Sequence, residues 1–463
     1  MSRQPSSPGA AGPPARKRPA PSAAGPPETP SPGEYLRILV VAALLGVPVA
    51  LGAAAFMSAT HGLTTLVWTT VPDNAGWTTP PGWYVLAVPA LAGLLVAAAL
   101  RLPGHGGEPA VKGIALEPLS PVQLVSALLA ALATLGLGLV LGPEAPLTAL
   151  GLTAGLVAAR ALRSGASGGQ ILAIAGAFAA ISTVFGGPLP SALLLFELVA
   201  RSGMVPSAAL GQALLPGFLA SGTAALVFTG VDHWPGVAET VLQLPALPNY
   251  PTVRLVDVAW GVLVAVVAAV VAAGARRSSR ELAGRAAKLP PVVLLGAAGL
   301  VVGLLAVGFR AVTGQPVDLV LFSGENALPQ VIAETSAGVL ALLVLVKGAA
   351  YALSLGAGFR GGPTFPAVAL GVATGVLGSI VLPGLDLTPA VIAGLAAAAS
   401  AALGLSFFGA LLAALLAGSA ASETIPIAVI ASVIGWLVAT ALQQRGTRHQ
   451  SSPVPPAAAP GPR

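Results

Sequence analysis

The sequence predicts an all-α, polytopic membrane protein, and three observations predict it: composition, long apolar runs without strand-like alternation, and Gly/Pro-rich helix starts. Of 463 residues, 55% are hydrophobic and only 8% charged, against about 25% charged in an ordinary soluble domain. A helix crosses a bilayer with about 20 mostly apolar residues. Such runs cover Tyr35–Met57, Gly82–Leu100, Pro121–Leu141, Met204–Phe228, Leu255–Ala273, Val292–Val312, Ala337–Leu355 and Thr424–Leu442. Ala, Leu and Val dominate each run and nothing alternates with period two, so helices rather than a closed barrel satisfy the backbone in lipid. This composition excludes a soluble enzyme.

The ends and connections give a topology. Residues 1–33 are rich in Pro, Ala, Ser and Gly and carry Arg3, Arg16, Lys17 and Arg18, and residues 443–463 carry Arg445 and Arg448 before a Pro/Ala-rich end. Both read as disordered tails. With the basic loop from Arg276 to Lys288, they are placed in the cytoplasm by the positive-inside rule. The connections around Asp73 and around Asp232, His233 and Glu239 are poor in Lys and Arg and are placed outside. Arg160 and Arg163 lie among helices too short to count as spans and receive no side. The net charge of +6 sits beside apolar helices, which points to the lipid bilayer and topology rather than nucleic acid. There is no cysteine, hence no disulfide and no thiolate metal site. His105 has no ligand partners at metal spacing, so neither metal nor cofactor is expected.

An internal repeat organises the chain. Gly142-Pro143-Glu144-Ala145-Pro146-Leu147-Thr148-Ala149-Leu150-Gly151 returns 220 residues later as Gly362-Pro363-Thr364-Phe365-Pro366-Ala367-Val368-Ala369-Leu370-Gly371, with Gly155 matched by Gly375. Half of the positions from Gly142 to Gly155 are identical to their mates. The paired prolines and Gly-Pro steps mark a duplication, giving halves at 34–250 and 251–442. Pro at a first helical turn loses no hydrogen bond, so each motif starts a helix. Apolar runs from Leu124 to Leu141 and from Gly338 to Leu355 precede them, so the starts lie inside the membrane. There, unpaired N–H groups and the positive dipole end face an anion. Helices broken at matching places in inverted halves are the sequence mark of a midplane site. Two further breaks are Pro103-Gly104-His105-Gly106-Gly107-Glu108-Pro109 and Gly186-Gly187-Pro188-Leu189-Pro190.

These motifs resemble the CLC family of chloride channels and transporters. Its G-S-G-I-P loop is similar to His105-Gly106-Gly107-Glu108-Pro109, its G-[RK]-E-G-P loop to Gly142-Pro143-Glu144-Ala145-Pro146, and its G-G-x-F-x-P loop to Gly361-Gly362-Pro363-Thr364-Phe365-Pro366. The segment Pro188 to Leu198 resembles the family's A-P-L-x-G-x-L-F-x-x-E-E. The likeness runs from about Tyr35 to Leu442. It implies two inverted-topology repeats with broken re-entrant helices, and a homodimer with one anion pathway in each subunit. It places Glu144 on the gating glutamate, and Gly106, Gly107, Glu108, Ala145, Thr364 and Phe365 along the anion path. Glu197 falls on the first of two glutamates and is the candidate proton relay. It is also read as a structural acid at a helix end.

The departures from the family pattern matter as much. Gly106 stands at the family serine, so it offers only backbone. Tyr351 is the last tyrosine, so the family's C-terminal tyrosine has no counterpart. Leu198 replaces the second, proton-accepting glutamate. The expected function is therefore movement of chloride or a similar small anion, channel-like with a glutamate gate. Proton-coupled chloride antiport, or transport of another anion such as fluoride, is the alternative. Lys347 is read as snorkelling or paired, and Trp68, Trp77, Trp83 and Trp234 as an aromatic belt. An intramembrane hydrolase would need a Ser/His/Asp or paired-acid set at one depth, which the four histidines do not supply.

Overall fold

The computed structural model describes residues 31–203, 210–231, 244–245, 247–418 and 421–450. Residues 1–30 and 451–463, and the connection holding Asp232, His233, Trp234 and Glu239, lie outside them, as do the side chains of Arg445 and Arg448. The first half comprises α1 (Pro32–Thr65), α2 (Val71–Asn74), α3 (Gly82–Ala99), α4 (Pro121–Gly136), α5 (Glu144–Ala161), α6 (Ala166–Val184), α7 (Pro188–Ser202) and α8 (Leu210–Val231). The second comprises α9 (Leu255–Ala286), α10 (Pro291–Thr313), α11 (Leu328–Ala333), α12 (Ala337–Gly356), α13 (Thr364–Val381), α14 (Leu387–Leu403), α15 (Ser406–Leu416) and α16 (Ala421–Gln450). No strand occurs among the described residues.

The halves repeat one packing scheme. Helix α1 packs on α6 and α8 as α9 packs on α14 and α16; α5 lies on α6 as α13 lies on α14; and α6 touches α7 as α14 touches α15. Small residues make the tightest seams, as in membrane bundles generally. A methyl on Gly151 or Gly155 would strike the carbonyls of Gly176 and Leu172, and one on Gly371 or Gly375 those of Gly394 and Ala390. The same two steps of the repeat thus bring backbones together in both halves.

Several boundaries differ from the sequence reading. Helix α6 is an apolar span of 19 residues with 83% of its window buried, and α14 is almost wholly buried. Both are Ala-rich rather than strongly apolar because they sit between helices, not against lipid. Helix α9 continues to Ala286, so Arg276, Arg277, Arg280 and Arg285 are helical rather than in a loop. The Arg277–Glu281 pair at i,i+4 suits a helix leaving the apolar layer. Helix α16 runs past Leu442 to Gln450. Helix α1 continues through a π-turn, Leu66–Thr70, into α2, and this 43-residue stretch exceeds the ~20 residues a perpendicular span requires. It therefore tilts or projects from the membrane.

The geometry also gives Arg160 and Arg163 a side. Arg37 Nη2 donates to Leu162 O at 3.4 Å, setting the end of α5 beside the N-terminal end of α1, which is the inner face in the topology above. At the other face, Arg310 Nη1 donates to Pro80 O at 2.7 Å. Trp77, Trp83 and Tyr84 cluster edge-to-face there, and Trp68 meets Tyr84 at 6.1 Å.

Candidate functional site: a carboxylate across the repeat axis

Helices α4 and α12 stop at Gly136 and Gly356, where the chain turns at Gly138 (φ 94°) and Gly358 (φ 93°). These left-handed values favour glycine. The two extended segments that follow meet. Val140 N donates to Ser354 Oγ at 3.2 Å and Arg360 N to Thr134 Oγ1 at 3.3 Å. Gly142 N donates to Gly362 O at 2.8 Å and Gly362 N to Gly142 O at 2.6 Å, forming an antiparallel bridge. Each contact is the mate of another under the 220-residue offset, so a local two-fold axis passes between Gly142 and Gly362. Helix α5 leaves this point toward the inner face. Helix α13 leaves it toward the outer one, ending near Pro383, whose carbonyl accepts from Trp260 Nε1 at the start of α9.

Glu144, fully buried, opens α5 but serves α13. Its Oε1 accepts from Thr364 N at 2.9 Å and Phe365 N at 3.0 Å. A carboxylate of one half therefore caps the first turn of the mate helix, where free N–H groups and the positive dipole end favour negative charge. Among the described residues no Lys or Arg lies within ion-pair distance of it, and Glu144 Oε2 and Thr364 Oγ1 are buried without a partner. The seat exists because positions 142 and 362 lack side chains: a Cβ on either would run into Glu144 Oε2. Ala145 follows, half-buried, on the same first turn. Phe365 stacks on Phe185 at 5.6 Å, and Phe185 meets Phe408 at 5.3 Å. Tyr351 is fully buried and its hydroxyl donates to Pro363 O at 2.8 Å, bracing the same turn.

The first loop behaves differently from expectation. Gly106 N donates to Ser126 Oγ at 3.3 Å and Gly107 N to Gly104 O at 3.0 Å. Positive φ at both glycines, 67° and 71°, curls the loop onto itself, so these amides are not free donors for an anion. Glu108 pairs with Lys112 at 2.6 Å and is about half exposed, not aimed at the bridge. Glu197 uses both oxygens on the start of α15, from Phe407 N at 3.1 Å and Phe408 N at 2.7 Å. It is a helix-capping acid.

Above Glu144, on the outer side, a cavity of about 570 Å³ is lined by His61, Trp68, Pro143, Asp318, Phe322 and Glu325, among others. Lys347 holds its wall. Its buried Nζ lies 3.1–3.3 Å from the carbonyls of Leu319, Val320, Leu321 and Phe322, so it neither snorkels nor forms an ion pair within 4 Å. Phe322, at φ 60°, ends this curl of carbonyls. Glu325 lies in the connection between α10 and α12, outside the spanning helices. Burial, helped by the charge of Glu144, pushes its carboxyl up to about 8. Asp318 is raised by burial as well, against the pull of Lys347.

A family model described as "Voltage gated chloride channel" matches residues 88–440. The chain belongs to the CLC family. It is similar to YfeO of Salmonella choleraesuis (strain SC-B67), named as a candidate ion-transport protein, with 30% identity over 351 residues, 74% of this chain and 80% of the relative. YfeO of Salmonella newport (strain SL254) matches to the same extent. In fold the chain is similar to a slow cyanobacterial Cl⁻/H⁺ antiporter, with TM-score 0.70 and 19% identity over 90% of this chain and 99% of the other. It is likewise similar to a CLC-type fluoride/proton antiporter, with TM-score 0.69 and 16% identity over 89% and 98%. The all-α, inverted-repeat fold expected from the motifs is thus the fold of this multi-pass membrane protein.

Three residues of this CLC chain make site contacts that no sequence motif announces. Tyr351 lies on α12, away from the C-terminal position of the family tyrosine, and reaches the site only through its hydroxyl. Glu325 lies in a loop without a motif. Arg360 immediately precedes the third motif's Gly361-Gly362, and a charge next to that glycine pair is the available signal.

Proposed function

We propose that the protein conducts chloride or a similar small anion through a pathway in each subunit, channel-like, with the Glu144 carboxylate as its gate. One observation carries the reading: Glu144 Oε1 occupies the amides of Thr364 and Phe365, a place where an anion would bind, with no fixed cation beside it. The carboxylate is the anion's competitor. When it is protonated, or displaced by an anion, the two amides and the Thr364 hydroxyl become the site.

Proton-coupled antiport, the activity for which two structural neighbours are described, needs a titratable group on the inner side of the gate. Leu198 cannot titrate, and both oxygens of Glu197 are engaged by amides, which supports the uncoupled reading. The test is flux in liposomes, followed with chloride and pH electrodes together. Chloride movement without net proton movement is expected. Protons driven uphill by a chloride gradient would replace this reading with antiport, and no anion flux would remove it.

Glu325 gives the reading a pH dependence. Its carboxyl is neutral below about 8, so at neutral pH the outer cavity does not add its charge to Asp318 and Glu144. Raising the outer pH through about 8 ionises it and repels anions. Flux is expected to fall across this range. In Glu325→Gln it should stay level there, and an unchanged fall would assign the titration to another group.

A second copy completes the assembly that the family resemblance implies. An apolar groove lined by Phe178, Leu189, Leu193, Phe196, Leu215 and Phe218 opens between α7, α8 and α15, on a face whose Phe196, Leu215 and Phe218 are exposed. The chain has no cysteine, so Phe196→Cys provides a single thiol. A bis-maleimide should link two chains of this variant in lipid; persistence of monomer would place any dimer contact elsewhere.

A further inference from the structure

We propose that Arg360 draws the anion to the inner end of the pathway and sets its apparent affinity there. This rests on the pathway of the preceding subsection and adds a specificity-determining residue to it. Arg360 is 8% exposed. Its Nε donates to Gly106 O at 2.8 Å, Nη2 to His105 O at 3.1 Å and Nη1 to Gly358 O at 2.5 Å. All three acceptors are neutral carbonyls, so the hydrogen bonds fix the guanidinium without cancelling its charge. Among the described residues no carboxylate lies within 4 Å of it. Glu108, the acid on the adjoining loop, is bound to Lys112.

Glu108 attracts Arg360 only through space and is shared with Lys112; a buried cation with no carboxylate in contact is costly, and at membrane depth such groups line ion paths or water-filled cavities. Two further observations point to a mobile anion as a closer partner. The first loop has committed its Gly106 and Gly107 amides to internal bonds, so donors for an inner anion must come from elsewhere. A guanidinium has five N–H groups, and Arg360 keeps some in reserve. Arg276 approaches the same loop from the other side, near Gly113, with Nη1 buried and unpartnered. The repeat sharpens the point. The two-fold mate of Arg360 is Val140, whose N–H makes the equivalent bond to Ser354. The backbone is symmetric, but the position that is Arg360 in the second half is the uncharged Val140 in the first.

The alternative is a latch: Arg360 ties the first motif loop to the third and does nothing to the ion. Chloride flux against inner-side chloride concentration separates the two in Arg360→Gln and Arg360→Lys. Gln retains hydrogen-bond donors without charge, and Lys retains charge without the guanidinium fork. The concentration for half-maximal flux is expected to rise roughly tenfold or more in Arg360→Gln, as loss of a nearby unit charge in a partly dry site implies. It should stay within about threefold in Arg360→Lys, which keeps the unit charge. Unchanged affinity in Arg360→Gln, or equal losses in both, would overturn the proposal. Should Arg360→Gln fail to fold, Arg360→His switches charge within one protein. Its inner-side affinity is expected to weaken as inner pH rises through the imidazole range, about 6.5, whereas a latch leaves it level. A wild-type protein that carries no anion would instead overturn the transport reading itself.

Discussion

Glu144→Gln is expected to raise chloride flux at neutral pH roughly tenfold and to abolish the further rise that acidification produces in the wild type. The wild-type carboxylate is held by two backbone amides at a helix start. Charge-assisted bonds of this kind, with the dipole, contribute about 1–2 kcal/mol, and 1.4 kcal/mol corresponds to tenfold in occupancy. Gln keeps the shape and one acceptor oxygen but not the charge, so an arriving anion displaces it more readily. In the wild type, protonation has the same effect, so flux rises as pH falls. Measurement of initial flux from liposomes over a pH series decides this, and an acid response in the variant equal to that of the wild type contradicts the gate. The separate response expected from Glu325 near pH 8 should persist in altered form.

The other large effect is expected at Gly362. A methyl there falls inside Glu144 Oε2 and close to its Cδ, so Gly362→Ala leaves the carboxylate no seat. Overpacking of this sort costs about 1–3 kcal/mol, relieved only if the side chain leaves. We expect a lower melting temperature in detergent, together with flux that no longer responds to acid. In Glu144→Ala, where only the Cβ stays near the added methyl, at 3.1 Å, most of the stability cost should vanish. A double-mutant cycle therefore gives a coupling of roughly 0.5–3 kcal/mol. Additive effects would mean that Gly362 is needed for the Gly142–Gly362 bridge alone, and that the carboxylate rests elsewhere.

Much of this was legible in the sequence because the site is built from backbone. Gly142-Pro143 and Gly362-Pro363 announce two helix starts inside apolar runs, and their repetition announces the axis between them. Glu144 stood out as an acid at such a start. What was not legible depends on how the loops fold. The amides of Gly106 and Gly107 were expected to face an anion, yet positive φ values turn them onto Ser126 and Gly104. Lys347 was expected to snorkel or pair. Four successive carbonyls instead surround its ammonium, an arrangement no spacing encodes. Tyr351 acts through a contact 12 residues away, and Arg360 reaches across the repeat to residues more than 250 away in sequence, which a linear pattern does not report. The buried spans α6 and α14 were passed over because helices that pack on other helices need Ala and Gly rather than a lipid-facing apolar surface.

The central claim is that Glu144 occupies an anion site, and bromide makes that directly visible. Crystals of wild-type and Glu144→Gln protein, grown in bromide, should be compared by anomalous scattering at the first turn of α13. We expect a bromide peak within hydrogen-bonding distance of Thr364 N and Phe365 N in the variant and none there in the wild type. A variant with no anomalous peak at those amides, or a wild type with bromide already bound to them, would contradict the account.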